Sequence, residues 1–145
     1  MATTTPDTRE AYRHYQQIPT RWMDNDVYGH VNNVVYYSYF DTVVNQYLIE
    51  QGVLDIGKST VIGLVVETQC EYFASIAFPD VVHAGLRVAK LGNSSVRYEI
   101  GLFRNEERSA AAQGHFVHVY VDRATRRSTP LPADFRVALE KIALA

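Results

Sequence analysis

Cysteine is almost absent from this chain: Cys70 stands alone in 145 residues. A single thiol closes no internal disulfide and builds no cysteine metal cage. The chain therefore fits a reducing compartment, and a cytoplasmic location is expected. An excess of one charge is also missing. Fourteen Lys and Arg stand against sixteen Asp and Glu, a formal net of -2. That balance argues against a partner such as nucleic acid or a charged membrane surface. No apolar run approaches the ~20 residues that span a bilayer. Residues 1–10 lack the basic start and the apolar segment of a secretory signal, and are expected to be flexible. Neither a P-loop nor a G-x-G-x-x-G motif occurs, which excludes nucleotide binding through such a loop. A G-x-S-x-G elbow is missing as well, so a serine hydrolase is unsupported.

What the chain does have is length for one domain, spanning 1–145 with a real core, and ten tyrosines. Tyr is enriched where large, partly polar surfaces meet, so an interface is a natural use for them. From about Tyr12 to Met23 the pattern reads as a strand with Ile18, Thr20 and Trp22 on one face, and Pro19 assigns it to an edge. From Asn33 to Gln51, strand-favouring residues compete with helical spacing. Length and period decide for helix: Tyr36, Phe40, Val43, Val44, Tyr47 and Leu48 recur at three and four. Gly52 then stands where a helix stop belongs. The first half of this helix is apolar on nearly every side, which predicts burial under a sheet that wraps it.

Four strands follow. Val61–Phe73 alternates from Val66 onward, and Val81–Leu91 is the second. The turn Leu91-Gly92-Asn93-Ser94 leads to a strand built on Val96, Tyr98, Ile100 and Leu102. After a turn at Arg104–Glu107 comes Ala110–Val121, with Val117, Val119 and Val121 on one face. Ala133–Ala143 reads as a short helix with Phe135, Leu139 and Ile142 on one side. The fold class is α+β: one long helix and an antiparallel sheet of five strands.

The stretch that carries chemistry is Arg21–Asn33. Asp24 and Asp26 stand two apart, followed by Gly29, His30, Asn32 and Asn33. Asn is a favoured N-cap, and a helix N-terminus attracts negative charge. A carboxylate beside such a terminus acts as a nucleophile or as a general base on water. The free N–H groups of the capped helix then stabilise an oxyanion. Asp26 is the leading acid, although acids also form loop turns. His30 is a candidate base or hydrogen-bond donor to substrate, and equally a packed histidine. Cys70 reads as a core or interface thiol. His83, His115 and His118 fall in predicted strands without ligand spacing, so no metal site is expected. Arg123, Arg126, Arg127 and Lys90 are loop charges that would suit the phosphates of a large anion.

The pattern Arg-x-x-Asp-x-Asp-x-x-Gly-His-Val-Asn-Asn-x-x-Tyr-x-x-Tyr-Phe-Asp, Arg21 to Asp41, resembles hotdog-fold acyl-CoA thioesterases of the 4-hydroxybenzoyl-CoA thioesterase type. The similarity covers about Tyr15 to Arg123. It implies a long helix wrapped by the sheet, and a homodimer or homotetramer with active sites at the dimer interface. By that resemblance Asp26 is the catalytic carboxylate, the N–H near Asn33 polarises the thioester carbonyl, and Tyr36 borders the acyl pocket. Lys90, Asn93 and Ser94 are the nearest matches to groups that meet CoA. No cofactor is implied, because CoA enters as part of the substrate. Asp41 and Glu67 remain alternative acids, and an acyl-carrier-protein thioester remains an alternative substrate. Two other uses of the fold stay open: a non-hydrolytic acyl-thioester binding module, and an enoyl-thioester hydratase.

Overall fold

The computed structural model describes residues 5–144. Its elements run β1 (His14–Pro19), α1 (Asn33–Glu50), β2 (Val61–Tyr72), β3 (Val81–Leu91), β4 (Ser95–Arg104), β5 (Ala112–Asp122) and α2 (Ala133–Glu140). The strands form one sheet in the order β1-β3-β4-β5-β2, and each neighbouring pair is antiparallel. β1 and β2 are therefore the edges. Pro19 lies on the β1 edge, where a missing N–H is tolerated.

α1 starts where Asn32 caps it: the Asn32 side chain accepts from the Val34 N–H at 3.2 Å. It stops at Gly52, whose φ of +75° suits glycine. All six residues of the apolar stripe are buried, together with Tyr39. They pack on Val82, Ala84, Leu86 and Val88 of β3 and on Tyr98, Ile100 and Leu102 of β4. Phe40 meets Phe116 edge to face at 5.4 Å. Burying one such side chain contributes ~1.5–3 kcal/mol. α2 closes one end of this layer, where the Tyr47 hydroxyl donates to the Ala138 carbonyl at 2.6 Å.

Several expectations need correction. The first strand stops at Pro19 and does not reach Met23. The N–H and hydroxyl of Thr20 both donate to the Asp80 carbonyl, at 3.1 and 2.5 Å, and turn the chain. The chain then enters a 3-10 turn over Trp22–Asp24, so Trp22 is 75% exposed and does not share the face of Ile18. The helix is not covered on every side. Val34 is 64% exposed, and Asp41, Thr42 and Ile49 are exposed too, because the sheet lies against one side of α1. On β5, Val117, Val119 and Val121 alternate on one face as expected, Val121 buried and the other two half-buried, and Phe116, His118 and Tyr120 on the other face join the helix side. α2 ends at Glu140, three residues short of Ala143.

The expected flexibility of residues 1–4 lies outside the described residues. From Asp7 onward the start is anchored on the other face of the sheet. The Tyr12 hydroxyl donates to Asp7 at 2.9 Å, and the Arg87 guanidinium lies over the Tyr12 ring at 4.6 Å. Tyr12 fits so closely over Gly101 that a Cβ there would lie 2.6 Å from its ring. Glycine is required at that contact because no side chain fits beneath the ring.

Candidate active site

The loop before α1 is held from below by Asp24, which is 1% exposed. One Asp24 oxygen, Oδ2, accepts from the Arg21 N–H at 2.9 Å and from the Tyr39 hydroxyl at 2.8 Å. The other, Oδ1, accepts from Arg21 Nε at 3.0 Å. Burial alone would raise this carboxyl. The Arg21 N–H, the Tyr39 hydroxyl and the Arg21 guanidinium outweigh burial and hold it below the ordinary carboxylate value. The Asp24 carbonyl also accepts from the Asn32 N–H at 2.8 Å, which fixes the helix start. Of the two acids spaced two apart, Asp24 is thus the structural one.

Asp26 stands on a tight loop above it. The Asp26 N–H donates to the His30 carbonyl at 2.7 Å, and the Gly29 N–H to the Asp26 carbonyl at 3.1 Å. Gly29 has φ +84°, so the reversal between Asp26 and His30 favours glycine. Asp26 Oδ1 accepts from the Tyr28 N–H at 2.8 Å and from the His30 N–H at 3.4 Å. Asp26 Oδ2 takes no bond among the described residues. One oxygen is therefore held in place and the other is left to act. The loop is pinned to the β2–β3 connection, where the Val31 N–H donates to the Ile76 carbonyl at 2.7 Å and the Phe78 N–H to Asn25 Oδ1 at 3.0 Å.

Asp26, His30, Asn33 and Tyr36, separated in the sequence by up to ten positions, line one open cleft of about 410 Å³. His30 and Asn33 are exposed in it and Asp26 is half-buried. The Asn32 cap takes the N–H groups of Val34 and Val35, and the Asn33 N–H has no acceptor among the described residues. A helix start of this kind favours negative charge beside it. The buried Tyr36 ring forms the wall, 4.9 Å from the Tyr72 ring. Tyr72 was not singled out from the sequence. Its hydroxyl donates to the Asn33 carbonyl at 3.3 Å, and residues 73–75 complete the cleft. The only trace of this in the sequence is that Tyr72 ends the alternating run of β2, next to a connection of eight residues.

Lys90, Asn93 and Ser94 do not reach this cleft within one chain. Ser94 accepts from the Tyr120 N–H at 2.7 Å, whereas Tyr72 pairs with Ala112. That puts the Gly92 turn ~26 Å along β5 from the cleft. Of the alternative acids, Glu67 pairs with His115 Nε2 at 2.5 Å, and Asp41 lies on the exposed side of α1. Neither lines the Asp26 cleft. Cys70 is half-buried, and burial pushes its thiol up to about 11, which removes it as a nucleophile near neutral pH.

Residues 20–139 match the family model of the thioesterase-like superfamily. The structure is similar to the PA5185 protein of Pseudomonas aeruginosa strain PAO1, with TM-score 0.94 and 55% identity over 98% of this chain and 99% of that one. It is also similar to the PA2801 protein of Pseudomonas aeruginosa, at TM-score 0.80 and 31% identity, covering 88% and 98%. A DHNA-CoA thioesterase from Staphylococcus aureus shares the fold at TM-score 0.79 and 21% identity, covering 88% and 89%.

Tyr39→Phe removes one donor to Asp24 and keeps the ring. It is expected to lower stability at neutral pH by ~1–3 kcal/mol. Because the Asp24 carboxyl is held below its unfolded value of about 3.9, this stabilisation is present above that pH and is lost as pH falls through the folded value. Urea unfolding at pH 7 and near pH 3 measures the effect. The gap between wild type and variant should shrink in acid, and an unchanged gap contradicts the role given to Tyr39.

Proposed function

The chain belongs to the thioesterase-like superfamily, and from that premise we propose that it hydrolyses an acyl-CoA thioester to the free acid and CoA. The observation that carries this reading is that the Asp26 carboxylate and the start of α1 open on the same cleft. Asp26 Oδ2 attacks the thioester carbon or takes a proton from a water that does. The carbonyl oxygen gains negative charge and is stabilised by the Asn33 N–H and the helix terminus. A single donor of this type changes rate by ~100-fold or more. If water attacks, the C–S bond then breaks and the proton taken by Asp26 passes to the leaving thiolate, so that CoA leaves as the thiol. If Asp26 attacks, C–S cleavage leaves an acyl–Asp26 anhydride, and a water hydrolyses it to the free acid, restoring the carboxylate and supplying the thiol proton. His30, at the mouth, donates a hydrogen bond to the substrate, and Tyr36 bounds the acyl group. That the fold relative from Staphylococcus aureus acts on a CoA thioester agrees with this reading.

The active unit of the proposal is a homodimer or homotetramer. Trp22, Met23, Val27 and Tyr28 are each 75% exposed or more and surround the Asp26 loop. β2 offers a free edge with Val65 and Val66 exposed. A second copy covering both features would bring its own Lys90, Asn93 and Ser94 toward the phosphates of the bound CoA.

Free thiol released from short, medium, long and aromatic acyl-CoAs tests the reaction. Wild type should release thiol from at least one of them, and Asp26→Asn should lower that rate by at least ~100-fold. Full activity in the variant removes Asp26 from the reaction, and no release from any CoA thioester overturns the CoA substrate. The assembly is tested by light scattering. A mass two or four times the 16.4 kDa of the chain is expected, and a monomer contradicts a shared site.

A further inference from the structure

Tyr36, Tyr72 and Phe73 all line the Asp26 cleft, and they differ in what they offer a ligand. Tyr36 is 4% exposed, so its ring is already packed. Phe73 is half-buried. Tyr72, at 45%, is the most exposed of the three.

The Tyr72 ring is also held in place from three sides. Its backbone pairs with Ala112, and the Ala111 carbonyl accepts from the next two N–H groups, those of Phe73 and Ala74, at 2.8 and 3.1 Å. The ring meets Tyr36 edge to face, with centroids 4.9 Å apart and planes at 76°. Its hydroxyl donates to the Asn33 carbonyl at 3.3 Å. A ring fixed beforehand loses little freedom when a ligand packs on it. These contacts also turn the side chain toward the helix start. Val66, where a second copy is placed above, is six positions back along β2, ~20 Å away.

The hydroxyl shows which part of a substrate the ring would meet. Asn33 is the residue whose N–H receives the thioester oxygen in the reading above. A ring tied to the carbonyl of that residue stands beside the first carbons of the acyl group and not beside its far end. Resting on that thioesterase reading, we propose that Tyr72 is the specificity-determining residue of the cleft. Its open ring packs against the group attached to the thioester carbonyl and favours a flat apolar group there over a methyl. Tyr36 lies behind it as the support of that ring.

Two thioethers of CoA that cannot be hydrolysed, S-phenacyl-CoA and S-acetonyl-CoA, separate binding from turnover. They share CoA and a ketone and differ in phenyl against methyl. Calorimetric titration of the full chain should give about tenfold tighter binding of the phenacyl compound. Tyr72→Ala should bring the two affinities within about twofold, and Tyr72→Phe, which keeps the ring, should retain the preference. Thermal unfolding verifies that the variants are folded. Tyr72→Val, suited to a strand, gives the same reading if Tyr72→Ala does not fold. A preference that survives in Tyr72→Ala or Tyr72→Val overturns the proposal. Equal binding of the two compounds by wild type overturns it too, as does binding of neither. A loss in Tyr72→Phe as large as in Tyr72→Ala would assign the effect to the hydroxyl and also overturn it. Thiol release from the acyl-CoA panel separates the two kinds of failure. Release shows that the thioesterase reading survives without this role for Tyr72, and no release removes the reading itself.

Discussion

Asp24 is a carboxylate almost wholly removed from water, and a charge in that position persists only where donors surround it. Those donors come from two directions: the Arg21 N–H and guanidinium from the preceding turn, and the Tyr39 hydroxyl from the second turn of α1. The carbonyl of the same residue receives the Asn32 N–H. The knot therefore fixes the loop to the helix and sets where the helix begins. Asp26, two residues on, inherits its position. Its own backbone closes a loop through Gly29, and one of its oxygens is tied to loop N–H groups. The acid that would react and the acid that holds it are chemically alike, and their surroundings separate them.

Much of the fold was legible from spacing. α1, β3 and the Gly92 turn fall where apolar period and turn residues place them, because each satisfies a local rule and a packing rule together. The five antiparallel strands were readable for the same reason, whereas their order in the sheet, β1-β3-β4-β5-β2, was not read from the sequence. The failures have local causes. Trp22 continues the alternation of β1, yet Thr20 spends its N–H and hydroxyl on Asp80, a partner 60 positions away that spacing does not reveal. The apolar first half of α1 implied cover on all sides, but one sheet face covers one helix face. Asp7 to Glu10 reads as polar and loose, and Asp7 is held by partners from distant parts of the chain, with Arg87 at 3.5 Å from its carboxylate and the Gln113 side chain accepting from its N–H at 2.7 Å. Of the residues that line the cleft, Asp26, His30 and Asn33 were picked out around a helix start, and Tyr36 through the family resemblance; all four lie within eleven residues. Tyr72 and residues 73–75 were not picked out, because they arrive through the sheet.

The ten tyrosines were expected to mark an interface, and many serve a different purpose. Tyr39 donates to Asp24, Tyr47 to the Ala138 carbonyl, and Tyr12 to Asp7. Tyr98 and Tyr120 bond to each other inside the core. A ring with a hydroxyl at its tip buries apolar area and still satisfies a distant polar group. Here that property joins layers: loop to helix, helix to helix, and strand to strand. It also leads to His118, where the hydroxyl chain ends on a ring whose Nε2 has no partner among the described residues.

The central claim is a division of labour between Asp24 and Asp26, and the direct measurement is unfolding free energy and thiol release on Asp24→Asn and Asp26→Asn, side by side. The account predicts that Asp24→Asn loses ~1–3 kcal/mol of stability. It predicts that Asp26→Asn stays within ~0.5 kcal/mol of wild type while losing its rate. Equal stability losses in the two variants, or a folded Asp26→Asn that hydrolyses at the wild-type rate, would contradict it.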